Sequence, residues 1–327
     1  MKVGMLLPNY ARWFRGEQIW AVCEKAKEIQ LDSLFFVDHI VVRPHQTIGM
    51  GNGYMDIYTV MSYVAAVTNI QGWAPMLGQC VSVIPYRPPI QQAKLAATVD
   101  SLSKGRLIVG AGTGYLDNEF KTLNLPLKER GDMTDEYLKA MITLWTQPVA
   151  SFHGKYVNFD EMTISVRPTQ QPHPPILVGA RGKRPFNRIA SFCNGWIPNA
   201  PRDLEGLESI KHDWAEINSL WKEYGREGKP YLAQAPKYVH LTTSRSDGNE
   251  VVTKGIKTEG EFSYTPGFPK THVEDMVTQM KASADIGTDM YVMHLPSYRH
   301  GEFDNQGMLL NQMDIFAEHV LPKVPRD

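Results

Sequence analysis

The chain predicts a single α/β domain, a (β/α)8 TIM barrel with a hairpin insertion and a long loop after its seventh strand. Short apolar runs, too brief for helices, alternate along the whole length with longer stretches of helical periodicity. No shift of composition, short repeat or low-complexity tract divides the 327 residues, 43% of them hydrophobic, so one large core is favoured over two. Polar and titratable residues gather directly after the apolar runs, where a parallel barrel keeps its chemistry.

In order, residues 3–7 read as strand one, and a helix over 18–30 sets Ile19, Val22, Cys23, Ala26 and Ile29 on one face. Residues 33–37 are strand two, ending at Asp38 and His39. A Gly-containing loop over 40–56 leads to a helix over 57–67. Residues 76–83 are bounded by Pro75 and Pro85 and read as a buried strand three. Pro88 and Pro89 open the next helix, because a first turn has no intrahelical use for the N–H that proline lacks. Its apolar spacing is Ile90, Ala93, Ala97 and Leu102. Lys104 and Gly105 end it, and residues 106–110 form strand four.

Thr134 or Asp135 is expected to cap a helix running to Trp145. Residues 149–159 read as a hairpin turned at Gly154. Residues 176–178 are strand five, Pro185 opens a helix, and 196–197 are strand six. Leu207, Ile210, Trp214, Ile217, Trp221 and Tyr224 mark an amphipathic helix, and the alternation over 238–243 reads as strand seven. A polar, Gly-rich stretch without periodicity fills 244–270. Val273, Val277, Met280 and Ala284 mark another helix, 290–293 are strand eight, and Leu309, Met313, Phe316 and Val320 mark the last helix.

A net charge of −1 supplies no long-range attraction to nucleic acid or anionic lipid. Three cysteines, at 23, 80 and 193, fit a reduced compartment without a disulfide framework. No apolar run approaches the roughly 18 residues of a membrane span, and the N-terminus lacks a signal-like apolar stretch. The expectation is a soluble cytoplasmic protein acting on a small-molecule substrate, with no nucleic-acid or membrane partner.

Gly110, Gly112 and Gly114 are spaced G-x-G-x-G, not the G-x-G-x-x-G of dinucleotide-binding folds. Either they only turn the chain out of strand four, or they let a flat ring lie on bare backbone with Thr113, Tyr115 and Asn118 as polar contacts. His39 is an acid–base candidate, and Asp38 is an adjacent acid able to orient the imidazole or share its proton. His39, His240 and His294 end three strands, which raises a metal site. Yet strand one ends in Leu7, Pro8 and Asn9 without the paired histidines of barrel hydrolases, and H-E-x-x-H is absent, so no metal is expected.

The turn Gly179, Ala180, Arg181, Gly182, Lys183, Arg184 opens a helix, where N–H groups and the helix dipole favour an anion. Its three basic residues strengthen a phosphate reading over that of a solvated loop. Trp13, Phe14, Tyr54, Tyr58, Tyr86 and Tyr115, with Met50 and Met55, fall near the same end, as pocket walls or as ordinary packing. Arg12, Arg15 and Arg43 among them suggest an anionic group on the substrate.

Asp38-His39, Leu77-Gly78-Gln79-Cys80-Val81, Gly112-Thr113-Gly114-Tyr115, Asn118-Glu119-Phe120, Arg130-Gly131 and the run from Pro172 to Gly179 together resemble the bacterial luciferase-like family of flavin- and deazaflavin-dependent oxidoreductases. The resemblance is dense up to residue 198. It implies a barrel with the cofactor ring at its C-terminal mouth, His39 acting beside the ring, and Asn118 hydrogen-bonding it. It implies a non-proline cis peptide at Cys80–Val81, phosphate binding at Gly179, Ala180, Arg181 and Gly182, and a homodimer. Thr113 stands where luciferase has arginine, and Ala180 replaces a usual glycine, so the phosphate is expected to lean on Arg181.

The implied function is a monooxygenase using reduced FMN from a separate NAD(P)H:flavin reductase. The alternative is hydride transfer with coenzyme F-420, which Asn118 resembles. A composition without the Ala/Arg richness of many deazaflavin-using relatives leans towards FMN. A third reading is a non-catalytic flavin-binding protein. The 244–270 stretch exceeds ordinary loop lengths of about 4–6 residues and is expected to be a lid, with Phe262 and Tyr264 capping the mouth and Lys254 or Lys257 reaching an anion.

Overall fold

The computed structural model describes residues 1–11, 14–42, 54–200, 204–236, 239–245, 256–258, 261–263, 270–296 and 306–326. Its eight barrel strands are Lys2–Leu6, Ser33–Phe36, Met76–Gln79 (continued by Ser82–Val83), Leu107–Gly112, Ile176–Val178, Gly195–Trp196, Tyr231–Pro236 and Met290–Met293. Each is parallel to the next, and strand eight pairs with strand one, so the sheet closes. Alternate side chains diverge: Leu6, Phe35, Ile108, Leu177 and Val292 fill the barrel, whereas Met5, Leu34, Leu77 and Val109 meet the surrounding helices. Burial on both faces makes these strands near-continuous apolar runs.

Strand seven is not where the alternation over 238–243 puts it. Tyr231–Pro236 occupies that place between strands six and eight. His240–Thr242 instead runs parallel to Lys270–His272 in a small side sheet, so His240 does not end a barrel strand. The stretch over 244–270 is not featureless either, since Ile256–Thr258 pairs antiparallel with Glu261–Ser263. Apart from residues 244, 245 and 270, the rest of the expected lid, including Lys254 and Tyr264 and the side chains of Lys257 and Phe262, lies outside the described residues.

Two helices also differ from expectation. Arg130–Thr146 begins before Thr134, whose hydroxyl donates to the Arg130 carbonyl inside the helix, and Asp135 pairs with Arg184 and Arg188. Neither is a cap. In Pro89–Leu102 the buried face is carried by Gln92, Ala93, Ala96, Ala97 and Val99, while Ile90 and Leu102 are 43% and 51% exposed. A six-residue helix, Asp117–Thr122, follows strand four with no periodicity to announce it. The hairpin appears as Ala150–His153 against Asn158–Met162. No helix among the described residues is long and apolar enough to cross a membrane.

Candidate active site

The C-terminal ends of strands two, three, four and five meet around Val81. The Cys80–Val81 peptide is cis, as is Gln171–Pro172. Val81 presses its methyl groups between Gly112 and Gly179. A Cβ built on Gly179 would stand 2.5 Å from Val81 Cγ1, and one on Gly112 would overlap Cγ2. Gly110 faces the Gln79 carbonyl, and Gly114, at φ +76, packs under Phe120 and Val83. The glycines of strand four thus make room for the end of strand three, and Gly114 also takes the positive φ of a turn. Cys80 and Val81 roof the barrel interior. Burial pushes the Cys80 thiol up to about 12, which keeps it a neutral thiol.

His39 follows strand two with its side chain 17% exposed, and its Nδ1 lies 2.8 Å from Oε2 of Glu119. Glu119 is buried on the helix Asp117–Thr122. The same Oε2 accepts from the Tyr86 hydroxyl at 2.8 Å, and Oε1 accepts from the N–H groups of Ile40 at 2.8 Å and Val41 at 3.2 Å. Burial works against ionisation here, but the His39, Tyr86 and Ile40 donors outweigh it and hold this carboxyl below its ordinary value. Burial first, and then Glu119, push the Tyr86 phenol up.

Rings continue the mouth. His39 meets Tyr54 edge-on at 4.8 Å between centroids and Tyr115 at 6.5 Å. Tyr54 neighbours Tyr10 at 6.0 Å, and the Tyr10 hydroxyl lies 3.0 Å from His294 Nε2. Tyr115 is 74% exposed. Asn9, which carried no signal in the sequence, closes the amide of Val37 with two hydrogen bonds of 2.9 and 3.1 Å and so fixes the end of strand two.

Asp38 does not orient His39. Adjacent residues leaving a strand point to opposite sides, and the Asp38 carboxylate is taken by Arg87 in a two-pronged pair at 2.7 and 2.9 Å. It also accepts from the Val83 N–H and the Ser82 hydroxyl. Arg87 continues to Asp56, the N-cap of the helix Ile57–Ile70. This buried pair ties strand two to the segment after strand three.

After strand five, the Ala180 carbonyl accepts from the indole of Trp196. Arg181 is engaged elsewhere, donating to Asp213 at 2.6 Å and Ser209 at 2.5 Å on the helix Leu204–Glu223. Arg184 pairs with Asp132 and Asp135. Two of the three basic side chains therefore carry acidic partners, and what remains for an anion is backbone and Lys183. Gly182, at φ +110 with open space where a Cβ would stand, precedes the helix Lys183–Phe192, whose Lys183 is exposed. Thr113 and Asn118 are half-buried near the same mouth.

Phe14 and Tyr58 are core residues, and Arg15 donates to the carbonyls of Ala11 and Phe14. Arg12, Trp13, Arg43 and Met50 lie outside the described residues. Among the described residues no group of three or more His, Cys, Asp or Glu gathers as metal ligands would. Outside the barrel wall, a cavity of about 440 Å³ lies between Ile90, Leu125, Tyr137 and Tyr156, with Tyr86 on its side.

Residues 14–277 match the family model described as luciferase-like monooxygenase. An uncharacterized protein of Mycobacterium tuberculosis is 38% identical over 157 residues, 48% of this chain and 54% of that protein, so the chain's match spans about half the length of this relative. An FMNH2-dependent dimethylsulfone monooxygenase of Pseudomonas putida is 30% identical over 273 residues, covering 73% of this chain and 71% of that one. An F420-dependent secondary alcohol dehydrogenase, solved with an F420–acetone adduct, superposes with a TM-score of 0.75 at 17% identity over 99% of both chains, a likeness of fold.

Proposed function

The chain belongs to the luciferase-like monooxygenase family, and on that premise we propose that it is a flavin-dependent monooxygenase. It would use reduced FMN, delivered by a separate NAD(P)H:flavin reductase, and dioxygen to oxidise a small organic substrate. The observation that carries this reading is the His39 imidazole, held at Nδ1 and partly open at the barrel mouth among Tyr54 and Tyr115. The residues present fit the cofactor. A flat ring suits the floor that Cys80 and Val81 make at the barrel mouth, and a phosphate suits the open backbone at Gly182 and Lys183. When bound, the reduced flavin supplies the electrons that activate dioxygen. His39 holds or moves a proton at Nε2, the tyrosines exclude water and seat an apolar substrate, and Asn118 and Thr113 offer polar contacts.

Hydride transfer with coenzyme F-420 is the second reading, favoured by Asn118 and by the shared fold with the alcohol dehydrogenase. Purified protein is titrated with reduced FMN and with F-420, followed by oxygen uptake in the presence of reduced FMN. Tight binding of reduced FMN with substrate-dependent oxygen consumption is expected. F-420 binding with no oxygen uptake would replace the monooxygenase reading with the second one.

A further inference from the structure

We propose that Glu119 is the positioning residue of the mouth: it holds a proton of His39 on Nδ1 and leaves Nε2 as the nitrogen that meets the reacting group. This rests on the reading of His39 as the proton-handling residue. A carboxylate offers about four lone-pair sites. All four are met by donors from two segments: His39 Nδ1 and the N–H groups of Ile40 and Val41 after strand two, and the hydroxyl of Tyr86 after strand three. Backbone N–H groups can only donate, and Tyr86 keeps its proton because burial and Glu119 itself push its phenol up. The donors also hold the Glu119 carboxyl below its ordinary value although burial opposes this, so it is an ionised, acceptor-only carboxylate, and the 2.8 Å contact to Nδ1 requires the proton to sit on that nitrogen.

The geometry has a second consequence. The two ring nitrogens diverge, so a ring anchored at Nδ1 presents Nε2 away from Glu119, on an imidazole whose other ring neighbours are Tyr54 and Tyr115. An imidazolium formed at Nε2 would be stabilised by the charge behind it without that charge touching substrate, the arrangement that a buried acid gives a catalytic histidine elsewhere. Asp38, spent on Arg87, cannot supply this.

The test is the tautomer itself. Ring-nitrogen NMR of histidine-labelled protein, with His39 assigned by its loss in His39→Gln, reads which nitrogen carries the proton in the neutral form. Wild type is expected to show Nδ1–H. Glu119→Gln places an amide donor or a neutral acceptor at the same point, and the amide that still accepts from Ile40 and Val41 turns its NH2 to Nδ1, so Nε2–H is expected. Turnover in Glu119→Gln should fall on the order of 10²- to 10⁴-fold, the span of acid–base and wrong-tautomer effects. The dissociation constant for reduced cofactor should change less than about threefold, as for an interaction made only with the reacting proton. Tyr86→Phe, which keeps the carboxylate, should keep Nδ1–H and guards against a Gln variant that fails to fold.

An Nε2–H form in wild type, or an unchanged tautomer in folded Glu119→Gln, overturns the role of Glu119 whatever the activity. Full turnover in His39→Gln with the Nδ1–H tautomer intact in wild type overturns instead the reading of His39, and the positioning role with it.

Discussion

At Val81 two methyl groups occupy the space that side chains at Gly112 and Gly179 would need, and this contact sets what strand four can carry. Gly112→Ala is expected to cost about 1–3 kcal/mol through overpacking against Val81, read as a lowered urea midpoint with an unchanged slope. An unshifted midpoint would mean that Val81 yields at no cost. Asp38 and His39 separate by consequence in the same way. Asp38→Asn leaves the Arg87 guanidinium facing a neutral amide and should lose about 3–5 kcal/mol of stability. His39→Ala removes one donor from the buried Glu119 carboxylate and should cost about 1–3 kcal/mol of stability, but it should lower turnover of the remaining folded protein on the order of 10²-fold or more. Equal effects of the two on turnover at matched folded fraction would argue for a shared role.

Both residues were legible from their place at a strand end, but the expectation that Asp38 orients His39 overlooked the alternation that sends adjacent strand residues to opposite sides. Glu119 could be read as part of a motif but not as the partner of a histidine 80 residues earlier. Nothing in its six-residue helix is periodic enough to show which way it faces. Arg181 is the reverse case: its sequence position beside Gly182 suggested an anion, whereas Asp213 and Ser209, which hold it, lie on a helix that only the barrel brings near.

Among the elements, those whose hydrophobic pattern matches their surroundings were readable and the others were not. The real strand seven, Tyr231–Pro236, is buried on both sides and ends in proline, so it shows no alternation. The alternating stretch after it belongs to a side sheet with one face open. The hairpin was legible because its turn glycine has a physical job. A Cβ at Gly154 would overlap the carboxylate of Glu136, which accepts from the successive N–H groups of Lys155, Tyr156 and Val157. In the helix Pro89–Leu102 small alanines face inward, and larger apolar residues at its ends face out, which misleads any reading by size. Leu102→Ser should therefore shift stability by no more than about 0.5 kcal/mol, against about 2–5 kcal/mol had Leu102 been core. Thermal unfolding of that single variant separates the two placements.

Across the whole molecule the barrel closes through backbone pairing, but the mouth is stitched by carboxylates. Glu119 joins the end of strand two to the helix after strand four and the loop after strand three, and Asp56 joins the helix Ile57–Ile70 to Arg87. Burial opposes the charge of both. The donors His39 and Tyr86 at Glu119, and the Thr59 N–H with Arg87 at Asp56, outweigh it and leave both carboxyls below their ordinary values of 4.5 and 3.8. A group whose folded pKa is depressed binds its proton more readily when unfolded. Its contribution to stability is thus fully present above the ordinary value and is lost as pH falls through the folded one. For the buried Glu119 each unit of depression adds about 1.4 kcal/mol at neutral pH, and for Asp56, whose side chain is 45% exposed, solvent screening makes the contribution smaller. The melting temperature should accordingly stay level down to about pH 5 and fall below it. Glu119→Gln has no proton to gain there, so its melting temperature should be lower at pH 7 and decline less steeply in acid, the two curves converging as pH drops. Parallel curves for wild type and Glu119→Gln would show that the Glu119 charge contributes nothing to holding the mouth together, and would leave Asp56 and its partner Arg87 to account for the acid slope.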